Sequence, residues 1–527
     1  MGEKMSERFA KALEDEYKAG NVLTENGAIG YRSSGIALVD FHFKVGSYRG
    51  KGESAIIHDF AEVFKEDAVL AMKLLFLVGD IREGMGERRT FNICLRWLVQ
   101  EHLEYAKAVL PLIAEYTRWD YLVKLLDFQI IADSAWDVVS KQLESDLSAM
   151  ASGKTISLLA KWLPSVNTSS AATRALAHKV IERLKVDERE YRRTLSALRG
   201  RLKVVEKQIS ANEWGDVDYN AVPSKANVLY RVAFMKHDGE RRMAYLQALE
   251  KGEDGVKINS GVVFPYDIIA RYRKDNFDWV EGATLKELDV TLEQMWKSLP
   301  DYVGRNGEGV ICVVDGSGSM TVRVGGGSVT AMDVARSLGL YFAERLKGAF
   351  KDKFITFSLN PQLIDIGVCK SLREKIQECD RHSEAENTDI EKVFDLILKS
   401  AVNARLSQSD MPRSILIISD MEFDSATTMS CSGHGVFMSR LKSLFDEIGD
   451  KYKAAGYILP RLVFWNVNNR SGAIPLKENK AGVALVSGFS PSIASMVFSN
   501  KLDPYAVLLE RLESERYAPV GDALKRI

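Results

Sequence analysis

The sequence predicts two structural classes in one chain: an all-α stacked helical array over residues 1–304, then an α/β domain with a mostly parallel sheet over residues 305–527. Three observations predict this. At 527 residues the chain exceeds what one hydrophobic core usually serves. Before about Pro300 the apolar residues recur at helical spacing and strand-like alternation is scarce. After Pro300 short β-branched runs alternate with helical stretches, the pattern of a parallel sheet covered by helices.

In the first half, Ala55 to Val78 reads as amphipathic, with Ile56, Phe60, Val63, Phe64 and Leu70 near i, i+3, i+4 and i+7. Thr90 to Tyr105, Leu110 to Leu126, Ser134 to Met150 and Ala171 to Leu184 follow, divided by short polar or glycine-containing breaks. Tyr191 to Ile209 is a longer, more basic helix, and Ser224 to Lys236 and Glu240 to Leu249 complete the run. Successive helices with short connections predict a stack in which each pair buries its face on its neighbours. No repeat of fixed period is visible, so the array is a divergent solenoid.

In the second half Val310 to Val314, Phe354 to Leu359, Ser414 to Ser419, Leu462 to Val467 and Val483 to Ser487 read as strands. Between and after them, Thr330 to Leu346, Thr388 to Val402, Ser439 to Ile448 and Ser490 to Phe498 read as helices, the first N-capped by Thr330. Arg305 to Glu308 is the predicted boundary.

Composition narrows the function classes. Hydrophobic residues make up 46% and charged residues 27%, ordinary for a soluble globular protein. The net charge of −1 excludes a chain-wide attraction to nucleic acid, so any such binding needs a local patch. The cysteines are Cys94, Cys312, Cys369, Cys379 and Cys431; no CxxC pair occurs, against a disulfide framework or a zinc site and in keeping with a reducing compartment. Met1 to Tyr17 lacks the apolar core of a signal peptide. No apolar run approaches the ~20 residues of a membrane span. A cytoplasmic protein without a membrane partner is expected. No HExxH occurs, Gly325-Gly326-Gly327-Ser328 lacks the Lys-Ser/Thr of a P-loop, and no general base stands beside the motif described next, so no catalytic residue is assigned and no enzyme is expected.

The most informative stretch is Gly309 to Met320, where the apolar run Val310-Ile311-Cys312-Val313-Val314 ends in Asp315-Gly316-Ser317-Gly318-Ser319. A strand end offering one carboxylate and two hydroxyls suits a hard divalent cation, which takes oxygen ligands and keeps some waters. Asp-x-Ser-x-Ser in this setting resembles the metal-ion-dependent adhesion site of von Willebrand factor A domains. That resemblance implies two further groups from later loops, and the matching positions are Thr388, ahead of a helix, and Asp420, after a strand. Mg²⁺, or another divalent cation such as Mn²⁺, is the implied cofactor, with a position left for a partner's acidic side chain.

In the helical half, Gly79-Asp80-Ile81-Arg82-Glu83-Gly84-Met85-Gly86-Glu87-Arg88-Arg89 reads either as a turn that could present amides and guanidiniums to phosphate or as a plain helix–helix connection, the second favoured. Residues 171–210 hold 11 Lys+Arg against 5 Asp+Glu. Arg189, Arg192, Arg193, Arg199, Arg201 and Lys203, with Arg88 and Arg89, are the candidate RNA-binding residues; a solvated helix face is the alternative. The tryptophans of Arg118-Trp119-Asp120, Lys161-Trp162-Leu163-Pro164-Ser165 and Glu213-Trp214 read as core anchors before base-stacking platforms.

These motifs, with Gly84-Met85-Gly86-Glu87-Arg88-Arg89, Tyr191-Arg192-Arg193-Thr194-Leu195, Val222-Pro223-Ser224, Asp315-Gly316-Ser317-Gly318-Ser319-Met320 and Ser487-Gly488-Phe489-Ser490, resemble the uncharacterised family called domain of unknown function 2828. The wider architecture is similar to the Ro ribonucleoprotein family, in which a ring of HEAT-like helical repeats, the TROVE module, is closed by a von Willebrand A domain. The resemblance implies a non-catalytic protein that binds small noncoding or structured RNA on a HEAT-like array, while the A domain closes the array or recruits partners. A metal-dependent protein scaffold without RNA is the alternative. Only the metal-site residues Asp315, Ser317, Ser319, Thr388 and Asp420 carry over one by one.

Overall fold

Val310–Asp315 is buried along its whole length in the computed structural model, as an apolar run without alternation requires of a strand covered on both faces. The structure describes residues 21–23, 29–202, 204–273, 285–304, 307–325, 328–357, 360–382, 390–422, 444–472, 474, 483–498, 503–525 and 527. Thr388 and Lys203 therefore lie outside the described residues, as do Cys431 and the glycines at 326 and 327.

Two short strands, β1 (Asn21–Leu23) and β2 (Ile29–Tyr31), pair antiparallel. The main sheet holds β3 (Val310–Asp315), β4 (Lys353–Phe357), β5 (Leu363–Asp365), β6 (Ser414–Ser419), β7 (Arg461–Asn466) and β8 (Val483–Ser487), in the order β5-β4-β3-β6-β7-β8. Every neighbouring pair is parallel except β4 with β5. The chain winds outward from β3 to β4 and β5 on one side, then returns to β6 on the other. In an open α/β sheet a crevice forms beyond the carboxyl ends of the strands where the winding reverses. Here that point lies between β3 and β6, whose register pairs Val314 with Ile418.

The period of two along each strand sorts the side chains between two layers. Ile311, Val313, Ile355, Phe357, Ile415, Ile417, Leu462, Phe464 and Leu485 share one core with Val393, Phe394 and Ile397 of helix Ile390–Ala404, Ile448 and Tyr452 of helix Leu444–Ala454, and Val39 and Phe43. Each such aliphatic side chain taken from water contributes about 1.5–3 kcal/mol. Helix Ala331–Arg345 packs on the sheet so closely that a Cβ at Gly339 would stand 2.4 Å from Val314 Cγ2. It is buried from Ala331 through Ala343, the mark of a helix covered on all sides. Its start is a capping box: Thr330 Oγ1 accepts the Asp333 amide at 3.1 Å, and Asp333 Oδ2 accepts the Thr330 amide at 2.8 Å.

The chain divides into two compact units, cut differently from the 304/305 boundary read from the sequence. Met1–Leu74 and Val263–Glu513 form the sheet unit; Leu75–Val262 and Ser514–Ile527 form the helical unit. The early segment of the sheet unit joins the β7–β8 edge through specific bonds. Asn466 Nδ2 donates to the Phe43 carbonyl at 2.6 Å, and the Gly46 amide donates to Ser487 Oγ at 2.9 Å. A Cβ at Gly46 would fall 2.9 Å from Ser487 Oγ, so this approach needs glycine. Helix Ala37–Lys44 has no counterpart among the sequence-predicted elements.

The helical unit has no strand among its described residues, and its elements follow the predicted pattern with three divided helices, predicted helix 110–126 being broken at Thr117-Arg118 between Leu103–Tyr116 and Trp119–Leu125. Predicted helix 90–105 ends at Glu101 and a new one runs Leu103–Tyr116, broken at His102 (φ −138, ψ 57). Predicted helix 191–209 becomes Glu188–Arg201 and Val205–Ser210, the first N-capped by Asp187. In the sheet unit, predicted helix 55–78 is split at the extended Asp67. No described helix is long and apolar enough to cross a membrane.

His42, 1% exposed on helix Ala37–Lys44, has an Nε2 without a hydrogen-bond partner. Burial lowers its pKa from 6.5 to about 4, so the folded state holds it neutral while the unfolded chain protonates it. Stability from this group is intact above pH 6.5 and is lost as the pH falls toward 4. Between pH 7.5 and 5 the loss amounts to about 2 kcal/mol. Urea unfolding at both pH values should show a larger drop for wild type than for His42→Leu; equal drops would rule this out.

Candidate functional site

Asp315 ends β3 and Asp420 follows β6, so the parallel register delivers both to the carboxyl edge at the reversal point. Asp315 is 1% and Asp420 0% exposed. The Ser317 amide donates to Asp315 Oδ1 at 2.9 Å, which folds the Gly316-Ser317 turn back over the strand end. Ser419 Oγ donates to Asp315 Oδ2 at 2.5 Å and accepts the Met421 amide at 2.9 Å. Ser317 Oγ and Ser319 Oγ lie 2.9 Å apart. One carboxylate and two hydroxyls of the motif thus gather in one loop, with Asp420 at the end of the adjacent strand. The fifth expected group, Thr388, is outside the described residues.

Ser419, Glu422 and Arg470 also stand here, and none was singled out from the sequence. Glu422 is 1% exposed, and its Oε1 accepts the amides of Arg470 and Ser471, each at 2.8 Å. Arg470 Nη1 donates to the Ser319 carbonyl at 3.1 Å and sits 3.2 Å from Asp420 Oδ2. That approach is an ion pair without hydrogen-bond alignment, since Oδ2 of Asp420 is buried and accepts no hydrogen bond. The alternation Ser419-Asp420-Met421-Glu422 was a readable signal; Arg470 arrives from a loop about 50 residues later in the chain and gave none. Met421, between the two acids, is buried at φ +64. This conformation costs an L-residue about 1–2 kcal/mol, and such strain collects at functional sites.

Negative charge is crowded at this edge. Burial, then the negative charge of Asp315, raise the Asp420 pKa from 3.8 to about 7, against the pull of Arg470. Three buried carboxyls, Asp315, Asp420 and Glu422, meet one guanidinium, and one carboxylate oxygen lacks a hydrogen bond. Among the described residues no three carboxylate, imidazole or thiolate side chains form a metal cage. A cation held here would rest on two carboxylates plus hydroxyls and water, a donor set suited to Mg²⁺ or Mn²⁺ and not to Zn²⁺.

The candidate RNA-binding arginines of the helical unit separate into two groups. Arg199 donates Nε to the Ala160 carbonyl at 2.9 Å, Nη2 to the Leu163 carbonyl at 2.7 Å and Nη1 to Ser165 Oγ at 2.8 Å. Arg201 donates to the carbonyls of Gly153 and Lys154, and Arg88 to Tyr121 Oη at 3.1 Å. Arg89 has partners of its own. The guanidiniums of Arg199, Arg201 and Arg88 are engaged in holding loops and helices together. Arg189, Arg192 and Arg193 are exposed on helix Glu188–Arg201 without an ion pair among the described residues.

Trp119, Trp162 and Trp214 are each half-buried, so none is the fully buried core anchor expected from the sequence. Arg118 stacks over Trp162 at 4.2 Å and chelates Asp120 at 2.8 and 2.6 Å. Tyr191 Oη donates to the Pro164 carbonyl at 2.7 Å. In the turn at 79–87 the amides of Met85, Gly86 and Glu87 donate to the carbonyls of Leu77, Asp80 and Val78. A Cβ at Gly84 would lie 2.2 Å from the Leu77 carbonyl oxygen. Those amides are committed inward, so the turn is the helix–helix connection favoured from the sequence and not a phosphate cradle.

Comparison with known proteins adds kinship. An uncharacterized protein of Acanthamoeba polyphaga mimivirus, L728, is 28% identical over 537 positions, covering 94% of this chain and 88% of that protein. Residues 309–510, which hold the whole candidate centre, match a second domain of unknown function, DUF7788. Residues 24–117 and 121–308 match the domain of unknown function DUF2828. Matched over more than half of its length and carrying the motifs that build its helical unit, the chain belongs to the DUF2828 family.

Proposed function

We propose that this is a non-enzymatic binding protein whose sheet unit is a von Willebrand factor A-type domain holding one divalent cation. The ligands are Asp315, Ser317, Ser319 and Asp420, with Thr388 as the remaining group, and Mg²⁺ or Mn²⁺ is the ion. When bound, the cation supplies an electrophilic position for a partner's carboxylate. The observation that carries this reading is the pair of buried carboxylates beside paired hydroxyls at the winding reversal, with Asp420 Oδ2 lacking a hydrogen bond. Ser419 and the Ser317 amide orient Asp315 through its two oxygens, while Glu422 anchors the loop at 470–471. Calorimetric titration of the purified chain with Mn²⁺ tests it: one site in wild type and none in Asp315→Ala is expected. Equal heats for the two proteins would remove the reading.

RNA binding by the helical unit, in the manner of Ro-type proteins, is a second reading. It is favoured by one observation: Arg189, Arg192 and Arg193 are exposed at i, i+3 and i+4 of one helix without ion-pair partners among the described residues. A titration of structured RNA across a salt series should give affinity that falls steeply with salt and about tenfold weaker binding for Arg192→Glu/Arg193→Glu at low salt. Arg199→Ala should lower the unfolding midpoint, because its carbonyl partners are left unpaired. Salt-independent binding, or none at low salt, would leave the metal-dependent reading alone.

A further inference from the structure

Arg470 stands where the cation reading needs a negative site. Its guanidinium lies 3.2 Å from Asp420 Oδ2 and hydrogen-bonds the carbonyl of Ser319, a residue of the same metal-binding motif. The loop that carries it is built to hold it there. Asn466 Oδ1 accepts the Asn469 amide at 2.9 Å, and Asn469 Oδ1 accepts the Gly472 amide at 2.7 Å. Glu422 takes the amides of Arg470 and Ser471. Lys51 Nζ, from the early segment, donates to the Arg470 carbonyl at 2.5 Å. The backbone of Arg470 is thus tied on both sides, while its side chain keeps 19% exposure and a flexible stem over which to swing.

We propose that Arg470 is the resident counter-cation of this centre, and that its pairing with Asp420 and the binding of a divalent cation exclude one another. The inference rests on the cation reading above. A guanidinium within about 5 Å of a dication lowers its occupancy roughly tenfold even at water-like screening, and more in a buried site. In the metal-free protein Arg470 offsets part of the charge of Asp315, Asp420 and Glu422. When the metal enters, the guanidinium leaves Asp420 and Ser319 while the loop backbone stays fixed by Glu422 and Lys51. Metal affinity is therefore set by this arginine as well as by the ligands, and the displaced guanidinium remains at the rim of the centre, beside the position open to an anionic group.

Mn²⁺ titrations of the full chain, followed by the electron paramagnetic resonance of free Mn²⁺, test this with wild type, Arg470→Gln, Arg470→Lys and Asp420→Asn at about pH 8, where ordinary carboxylates are ionised. Arg470→Gln is expected to bind at least about tenfold more tightly than wild type. Arg470→Lys, which keeps the charge, should stay within about threefold of wild type. Asp420→Asn should lose binding. Wild type that binds Mn²⁺ with Arg470→Gln equal or weaker overturns the inference and leaves the cation reading standing. No binding by wild type or by Arg470→Gln removes both. Binding by Arg470→Gln alone supports the inference in its strongest form. Should Arg470→Gln not fold, judged by circular dichroism, Arg470→Lys decides: affinity raised about tenfold with the charge retained would refute the electrostatic argument.

Discussion

Arg516→Ala is expected to destabilise the helical unit by about 3–5 kcal/mol, the cost of leaving a buried carboxylate without its cation. Asp80 is fully buried, and Arg516 meets both its oxygens, Nε to Oδ2 at 2.9 Å and Nη2 to Oδ1 at 3.2 Å. The same guanidinium lies 4.3 Å over the Tyr116 ring, Tyr116 Oη donates to the Arg516 carbonyl at 2.5 Å, and Tyr517 Oη donates to Asp80 Oδ2 at 3.3 Å. One residue thus supplies an ion pair, a ring contact and a backbone acceptor to the segment 75–116. Arg516→Lys should restore only part of the loss, because a point charge cannot make the forked contact. Amide exchange across residues 103–117, compared between wild type and the two variants, is the direct measurement. Unchanged protection in Arg516→Ala would mean that the segment Ser514–Ile527 does not hold this unit.

The same contact shows where sequence reading reached its end. Asp80 sits in a glycine-rich turn that the sequence offered as a helix–helix connection, and that reading agrees with the backbone bonds. Nothing in Ser514-Glu515-Arg516-Tyr517 marks it as the partner, because the pairing crosses more than 400 residues and leaves no periodic trace. The strands were legible for the opposite reason. A buried parallel strand must be apolar throughout, so Val310–Val314, Ser414–Ser419 and Val483–Ser487 announced themselves. Their order also places Asp315 and Asp420 on one edge. Leu363–Asp365 was not legible: it is three residues long, its flanking positions are exposed, and it joins the edge antiparallel.

The arginines make a related point. Spacing alone could not separate Arg199 from Arg192, since both lie on helix Glu188–Arg201 in a basic stretch. Arg199 is half-buried against the carbonyls of a loop some 36 residues earlier in the chain, whereas Arg192 is exposed. Local charge counts report composition along a helix. Binding of an anion would depend on which guanidiniums still have hydrogen-bonding capacity, and that is settled by the segment packed against the helix. The division between the units was obscured similarly. Residues 31–74 carry helical periodicity like that of the array, yet Phe43, Gly46 and Lys51 bond to the β7–β8 edge and the loop after β7.

Replacing Asp420 by asparagine should have effects of opposite sign with and without a divalent cation. In the metal-free protein the substitution removes one of three crowded buried acids and is expected to stabilise the sheet unit by about 2 kcal/mol, after allowing for the ion pair lost to Arg470. The folded-state pKa of Asp420 is raised from 3.8 to about 7, so ionisation of this group costs stability. The cost is absent below the unfolded value and complete above the folded one, and the gain from Asp420→Asn should shrink as the pH falls from 8 to 5. With Mn²⁺ at a hundredfold excess over its dissociation constant, wild type should gain about 2.7 kcal/mol and the variant nothing. Wild type then overtakes the variant in thermal midpoint as metal is added, a crossing that a purely structural carboxylate would not produce. An Asp420→Asn protein that melts below wild type both with and without metal would show that Asp420 serves the fold through its hydrogen bond from Glu422, and that acid crowding at this edge is no argument for a cation.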